Sequence, residues 1–256
     1  MIQQNSILEP ISQTKTIDKV FSNRCPKHNL SLETTCYGEG EYKRQVRFCP
    51  ECKKTERHSF EFEKRQQEIR DYLQRANISP RFTEKSLGNF KIENKNQEQV
   101  INGVYQFLAQ FESSTGMIFM GKPGTGKSHL ATAIAKEVIC KKGKSAMMTT
   151  AMKMLRQIKS SWKDESISEE TALRKFIQPD VLIIDEIGVQ FGSDTERLYL
   201  TEIINDRYEW MKQTIVLTNL TMEELNVVLG ERILDRFREG GQVLVFDWKS
   251  YRGRKV

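Results

Sequence analysis

The sequence predicts an α/β chain: a small metal-stabilised N-terminal module, then a parallel sheet with helices on both faces. Three observations carry the prediction. Short apolar runs alternate with helix-length segments from about residue 96 onward, the pattern of strands joined by helical crossovers. The run Met117-Ile118-Phe119-Met120 leads into Gly121-Lys122-Pro123-Gly124-Thr125-Gly126-Lys127-Ser128, a G-x-x-x-x-G-K-[ST] loop between a strand and a helix. Cys25, Cys36, Cys49 and Cys52 crowd the first 52 residues, while Cys140 stands apart.

Residues 1–24 are polar with weak helical character. Within 25–52, Gly38 and Gly40 suit a hairpin between two cysteine knuckles. Residues from about 53 to 76 are rich in charge and helix formers and read as one exposed helix, either a solvated spacer or a partner-binding surface. Pro80 breaks that helix, and Asn94-Lys95-Asn96 makes a second polar break. Helices are expected at about 96–112, from the loop to about 142, and at 151–163, 168–177, 194–212 and 225–238. Strands are expected at 117–120, 145–149, 180–185, 214–218 and 243–246. Continuous apolar runs such as Val181-Leu182-Ile183-Ile184 fit parallel strands covered on both faces. The organisation expected is 1–76 as an N-terminal domain, 77–95 as a linker and 96–256 as the nucleotide-binding domain.

The 256 residues carry a net charge of +6, with 38% apolar and 29% charged residues, a soluble globular composition. The charge allows contact with nucleic acid and equally fits an ordinary basic surface. No apolar run approaches a membrane span, and the N-terminus lacks the layout of a secretion signal, so a cytoplasmic protein without membrane contact is expected. Five cysteines, an odd number, argue against a disulfide framework.

The loop chemistry is that of a nucleoside-triphosphate site. Its glycines allow backbone conformations that turn N–H groups toward phosphate oxygens. Lys127 can reach the β- and γ-phosphates, Ser128 can take a place on Mg²⁺, and the helix opening at His129 adds a favourable dipole. Asp185 and Glu186 end the strand at 180–185. Asp185 can hold Mg²⁺ through water, and Glu186 can polarise the attacking water; the alternative is an acidic helix start. Asn219 ends the strand at 214–218 and either positions water near the γ-phosphate or caps the helix that follows. Arg232, Arg236 and Arg238 share one expected helix, and Arg252 and Arg254 lie in the tail. Arginines can stabilise a transferring phosphoryl, in cis or from a neighbour, or pair with Glu231, Asp235 and Glu239 on a surface helix.

Cys25-Pro26-Lys27-His28 and Cys49-Pro50-Glu51-Cys52 form C-x-x-H and C-x-x-C pairs with 20 residues between them. Zn²⁺ takes four tetrahedral sulfur or nitrogen ligands, and a segment this short and polar needs such a staple. Cys25, His28, Cys49 and Cys52 are therefore the expected ligands of a structural Zn²⁺, with Cys36 and His58 as alternatives to His28.

With these motifs in hand, residues 76–256 resemble the DnaC/DnaI helicase loaders and the IstB transposition ATPases of the AAA+ superfamily. The resemblance rests on Ala76 to Phe82, Gly121 to Ser128, Leu182 to Gly188, Asp206-Arg207-Tyr208, Thr218-Asn219-Leu220, Gly230 to Arg236 and Ser250 to Arg254. It implies an AAA+ core without a separate helical lid and slow, switch-like ATP hydrolysis. It implies Asn219 as sensor 1, Arg236 as the arginine finger for a neighbour's ATP, and Arg252 as sensor 2, with Arg232 and Arg207 as lesser interface candidates. Phe82 and Phe90 would lie near the adenine. The segment at 146–163, with Lys153, Arg156, Lys159, Lys163 and Trp162, would hold single-stranded DNA in the pore of a self-associated spiral. The N-terminal domain would grip a replicative hexameric, DnaB-like helicase. The alternatives are an IstB-like helper of a transposase, and a zinc adaptor with a vestigial ATPase.

Overall fold

The computed structural model describes residues 23–37, 44–162, 168–188 and 194–252; residues 1–22, Gly38, Gly40, Lys163 and Arg254 lie outside them. The chain divides into two compact units at Glu63/Lys64.

In the N-terminal unit, β1 (Glu33–Tyr37) and β2 (Arg44–Phe48) form an antiparallel pair in register from Glu33↔Phe48 to Tyr37↔Arg44. The first knuckle precedes it. Cys25 N–H donates to the Leu30 carbonyl and Asn29 N–H to the Cys25 carbonyl, both at 2.8 Å. Asn29 takes the left-handed conformation (φ 54°) that asparagine tolerates. The second knuckle runs into α1 (Pro50–Arg75), which opens on proline, whose fixed φ suits a first helical position. Phe60 and Phe62 of α1 are exposed.

The second unit is built on five parallel strands: β3 (Gly116–Gly121), β4 (Ala146–Thr150), β5 (Val181–Ile187), β6 (Gln213–Thr218) and β7 (Gly241–Phe246). Their order is β4-β5-β6-β3-β7. The helices are α2 (Lys95–Ala109), α3 (Lys127–Glu137), α4 (Ala151–Ser161), α5 (Glu169–Ile177), α6 (Asp194–Glu209), α7 (Met222–Leu229) and α8 (Glu231–Gly240). Successive strand residues point to opposite faces, so the apolar runs feed two cores. Met117, Phe119, Ile183, Ile215 and Leu217 pack with α2 and α3. Ile118, Leu182, Ile184 and Val216 pack with α4, α5, α6 and α8. Ile69, Tyr72 and Leu73 of α1 pack against the first core.

Three expectations need correction. Asn94 does not merely interrupt: it caps α2, accepting from Gln97 N–H in a reciprocal capping box. The helix expected at 225–238 is two helices. Thr221 and Glu224 form a capping box that starts α7 early, and Gly230 (φ 81°) ends it before α8 begins. The helix after the loop leaves α geometry at Glu137, continues as one wider turn over Val138–Lys142, and stops at left-handed Gly143.

Arg207, an interface candidate by resemblance, is wholly buried. Its guanidinium donates to the carbonyls of Phe176 (3.0 Å), Ile177 (2.9 Å), Pro179 (2.8 Å), Asp180 (3.3 Å) and Gln213, while its Nε donates to Thr214 Oγ1 (3.0 Å). It gathers the turn that feeds β5 onto β6, a structural task. Among the described residues no helix is long and apolar enough to cross a membrane.

Candidate nucleotide site and metal centre

β3 delivers the loop, and the loop opens α3. Two glycines make the approach possible. Gly124 (φ 80°) lies under the C-terminal segment, where a Cβ would fall 2.1 Å from Ser250 Oγ; Gly126 (φ 102°) faces Phe90, where a Cβ would fall 2.8 Å from the ring. The loop borders a cleft of about 950 Å³ that also takes in Pro123, Lys127, Ser128, Asp185, Glu186, Asn219 and Arg252.

Lys127 is only 7% exposed. Its Nζ donates to the carbonyls of Gly121 and Lys122 (2.9 Å) and to Asn219 Oδ1 (2.8 Å). Burial lowers its pKa to about 8; Asp185 opposes the shift and Arg252 adds to it. Ser128 Oγ donates to Asp185 Oδ2 at 2.8 Å, and Asp185 Oδ1 accepts from Glu186 N–H at 2.8 Å. The strand order explains this convergence. β6 lies between β3 and β5, so Asn219 at its end falls between the loop and the carboxylates. A paired hydroxyl and carboxylate are oxygen donors suited to a hard divalent cation, and the buried ammonium and the loop suit phosphate. The residues present thus fit a nucleotide with Mg²⁺.

Thr125 within the loop and His129 just after it, both expected nucleotide contacts by position, also hold the loop in shape. Thr125 Oγ1 donates to the Lys122 carbonyl (2.8 Å), and the Thr125 carbonyl accepts from Trp248 Nε1 (3.0 Å). His129 Nε2–H donates to the Ser86 carbonyl (2.9 Å), and burial keeps the ring below its ordinary pKa. Phe90 packs edge-on to His129 at 5.5 Å and to Trp248 at 6.5 Å. Tyr251 N–H donates to the Gly124 carbonyl (2.9 Å), and the Tyr251 hydroxyl joins Gln97 Nε2 (2.7 Å) to the Lys91 carbonyl (3.0 Å). Sequence reasoning missed this strap over the loop. The available signal was an indole and a phenol in the polar run Asp247 to Arg252, since buried Trp and Tyr need partners for their N–H and O–H groups.

The arginines separate. Arg252 lines the cleft, and Arg232 is exposed on α8. Arg236 has a side chain 12% exposed, is paired with Glu209 at 3.2 Å, donates to the Asn205 carbonyl (3.3 Å) and side chain, and stacks 4.5 Å over the Tyr208 ring. Arg238 pairs with Asp235 at 2.5 Å. On α4, Lys153 and Arg156 are exposed, whereas Lys159 pairs with Glu196 at 2.7 Å; Trp162 Nε1 donates to Glu169 at 2.8 Å.

The N-terminal unit brings Cys25, His28, Cys49 and Cys52 together, their ligand atoms all within 4.8 Å of one another. Four of the six separations are Cys25 Sγ–Cys52 Sγ 3.6 Å, Cys25 Sγ–His28 Nδ1 3.7 Å, Cys49 Sγ–His28 Nδ1 3.6 Å and Cys52 Sγ–His28 Nδ1 3.4 Å. A tetrahedron with ordinary Zn–S and Zn–N bonds has edges of roughly 3.5–3.8 Å. The set therefore fits Zn²⁺. The His28 backbone N–H lowers the Cys25 thiol to about 6, while the Cys25 sulfur beside it pushes the Cys52 thiol up to about 11, so a metal taking both sulfurs must displace the Cys52 proton. His58 is exposed on α1, outside the group, and the Cys36 side chain lies outside the described residues.

This strand order, with a phosphate loop at the end of β3 and carboxylates near the end of β5, defines an AAA+-type nucleotide-binding protein. Within that class, the chain belongs to the family of IstB-like ATP binding proteins, whose model matches residues 55–256. The replicative helicase loader DnaC of Escherichia coli is 35% identical over 198 residues, which are 77% of this chain and 80% of that protein. DnaC of Buchnera aphidicola from Acyrthosiphon pisum is 37% identical over 183 residues, covering 70% and 74%. A crystal structure of the DnaC helicase loader superposes with a TM-score of 0.59 at 25% identity, over 65% of this chain and 99% of that one. A DnaI structure shares the fold at a TM-score of 0.57 and 21% identity, over 66% of this chain and 94% of that one.

Proposed function

We propose that this protein is an ATP-switched loader that places a replicative hexameric DNA helicase on single-stranded DNA. The observation that carries the reading is the convergence of Lys127, Ser128, Asp185, Glu186 and Asn219 on one cleft, in a chain similar to DnaC over most of its length. Bound ATP with Mg²⁺ supplies the transferable phosphoryl group. The loop from Gly121 to Ser128, with Lys127 foremost, would hold the phosphates; Ser128 and Asp185 would hold the metal. Glu186 orients water, and Asn219 fixes the side of attack. Arg252 acts from the same chain. Arg236 serves a neighbour's cleft, exchanging its bonds to Asn205 and Glu209 to do so. Turnover is slow, as suits a switch. Zn²⁺ held by Cys25, His28, Cys49 and Cys52 stabilises the N-terminal unit, residues 1–76 serve as the helicase grip, and the exposed cations of α4 face single-stranded DNA. The protein works in the cytoplasm.

The test is delivery of the cognate helicase onto closed circular single-stranded DNA. The expected result is ATP-dependent loading by the full chain, and a stalled loader–helicase–DNA complex with Glu186→Gln. No helicase complex under ATP, with binding to duplex DNA and a transposase instead, would replace this reading by the transposition helper.

A further inference from the structure

The ladder between β5 and β6 breaks at the carboxylates. Pairing runs from Val181↔Gln213 to Ile184↔Val216 and resumes only at Ile187↔Thr218. Asp185 and Glu186 on β5 thus stand against Leu217 alone, the arrangement of a bulge that re-aims a side chain. Glu186 has φ 60°, a left-handed conformation that a non-glycine residue keeps only when its surroundings hold it there. Thr218 is positioned to hold it. The residue is 1% exposed. Its hydroxyl donates to the Ile187 carbonyl at 2.8 Å and accepts from the Leu220 N–H at 3.1 Å. One hydroxyl therefore ties the residue after Glu186 to the residue after Asn219. The turns also touch through Gly188 (φ 101°), where any Cβ would collide with the Leu220 side chain.

We propose that Thr218 is a positioning residue: its hydroxyl locks the turn bearing Glu186 to the turn bearing Asn219, and so sets the geometry of water activation without touching the nucleotide. The proposal rests on the ATPase reading above. The bond to the Ile187 carbonyl is buried and the bond from the Leu220 N–H partly so, which strengthens both relative to water. Thr218→Val keeps the shape and removes both; Thr218→Ser keeps both and removes a methyl.

The experiment compares steady-state ATP turnover, nucleotide affinity by fluorescence titration and melting temperature for the wild-type chain, Thr218→Val, Thr218→Ser and Glu186→Gln. Thr218→Val is expected to lower kcat by about tenfold or more while the nucleotide Kd changes less than about threefold, because misplacement of a water-orienting group acts on the chemical step. Thr218→Ser should recover most of that loss. Wild-type turnover in Thr218→Val overturns the proposal. So does a Thr218→Ser variant as slow as Thr218→Val, or a parallel loss of affinity and melting temperature with kcat. The controls separate the two levels. No turnover in the wild type defeats the ATPase reading itself; full turnover in Glu186→Gln removes Glu186 from water activation; loss of turnover in Glu186→Gln alongside a fully active Thr218→Val defeats only the role of Thr218.

Discussion

Among the side chains described before Lys64, those of Cys25 and Cys49, both metal-ligand candidates, are the buried ones; the side chains of residues 34–37 and 44–46 lie outside that description. The α/β unit instead buries two apolar layers, one on each face of its sheet. The first arrangement concentrates its cohesion in four ligand atoms within 4.8 Å of one another; the second spreads it over dozens of side chains. A concentrated fold is all-or-none with respect to one ion. A distributed fold tolerates local loss and can carry polar groups such as Lys127 and strained ones such as Glu186 in its site. The contrast implies that the two units respond to different insults.

The largest effect expected is on the N-terminal unit. Cys49→Ser, or a zinc chelator applied to the wild type, should abolish its fold, since a structural Zn²⁺ contributes on the order of 10 kcal/mol. Limited proteolysis should then cut within residues 23–63, while the α/β unit keeps its melting temperature within about 2 °C. A larger drop would break the comparison, because it would mean that the sheet draws stability from the metal.

A smaller, titratable effect belongs to the α/β unit alone. Free Lys127 has a pKa near 8, so above that pH the side chain is increasingly neutral until an anion restores its charge. Triphosphate binding at pH 9 should take up close to one proton, and affinity should fall about tenfold between pH 7 and pH 9. Calorimetry in buffers of different ionisation enthalpy measures this, and Lys127→Arg should abolish the uptake. The sign for stability is the reverse. The folded pKa lies below the unfolded one, so the nucleotide-free unit gains stability as pH rises from about 8 toward 10.5, where the unfolded chain holds a proton the fold excludes. Proton uptake that survives Lys127→Arg would assign it to another group.

The legibility of the chain follows the same divide. The two knuckles could be read from spacing, since ligands two residues apart form one whatever surrounds them; spacing left His28, Cys36 and His58 open as the fourth ligand, and the fold brings His28 to the three cysteines. The loop from Gly121 to Ser128 and the strand end before Asn219 were legible for a similar reason: an apolar run that ends in a polar residue marks the carboxyl end of a strand. The same rule ended β5 too early, at Asp185, because the strand continues through a bulge to Ile187. What stayed hidden depends on contacts distant in sequence. Apolar runs report burial and not neighbours, so the place of β6 between β3 and β5, which brings Asn219 to Lys127, could not be read. Arg207 was an interface candidate only by resemblance, and nothing local in the sequence shows that five carbonyls converge on it. Gly230 was read as helix interior although its φ of 81° ends α7. The strap through Trp248 and Tyr251 acts on residues more than a hundred positions away.

The most direct measurement is size-exclusion chromatography with light scattering of the full chain and the cognate replicative helicase under ATP, run for wild type, Cys49→Ser and Lys127→Ala, with ATP turnover measured in parallel. The account predicts that Cys49→Ser loses helicase capture and keeps turnover, while Lys127→Ala loses turnover and still captures the helicase through its N-terminal unit. Capture that survives Cys49→Ser, or turnover lost with it, would contradict the assignment of grip and switch to two separately stabilised units.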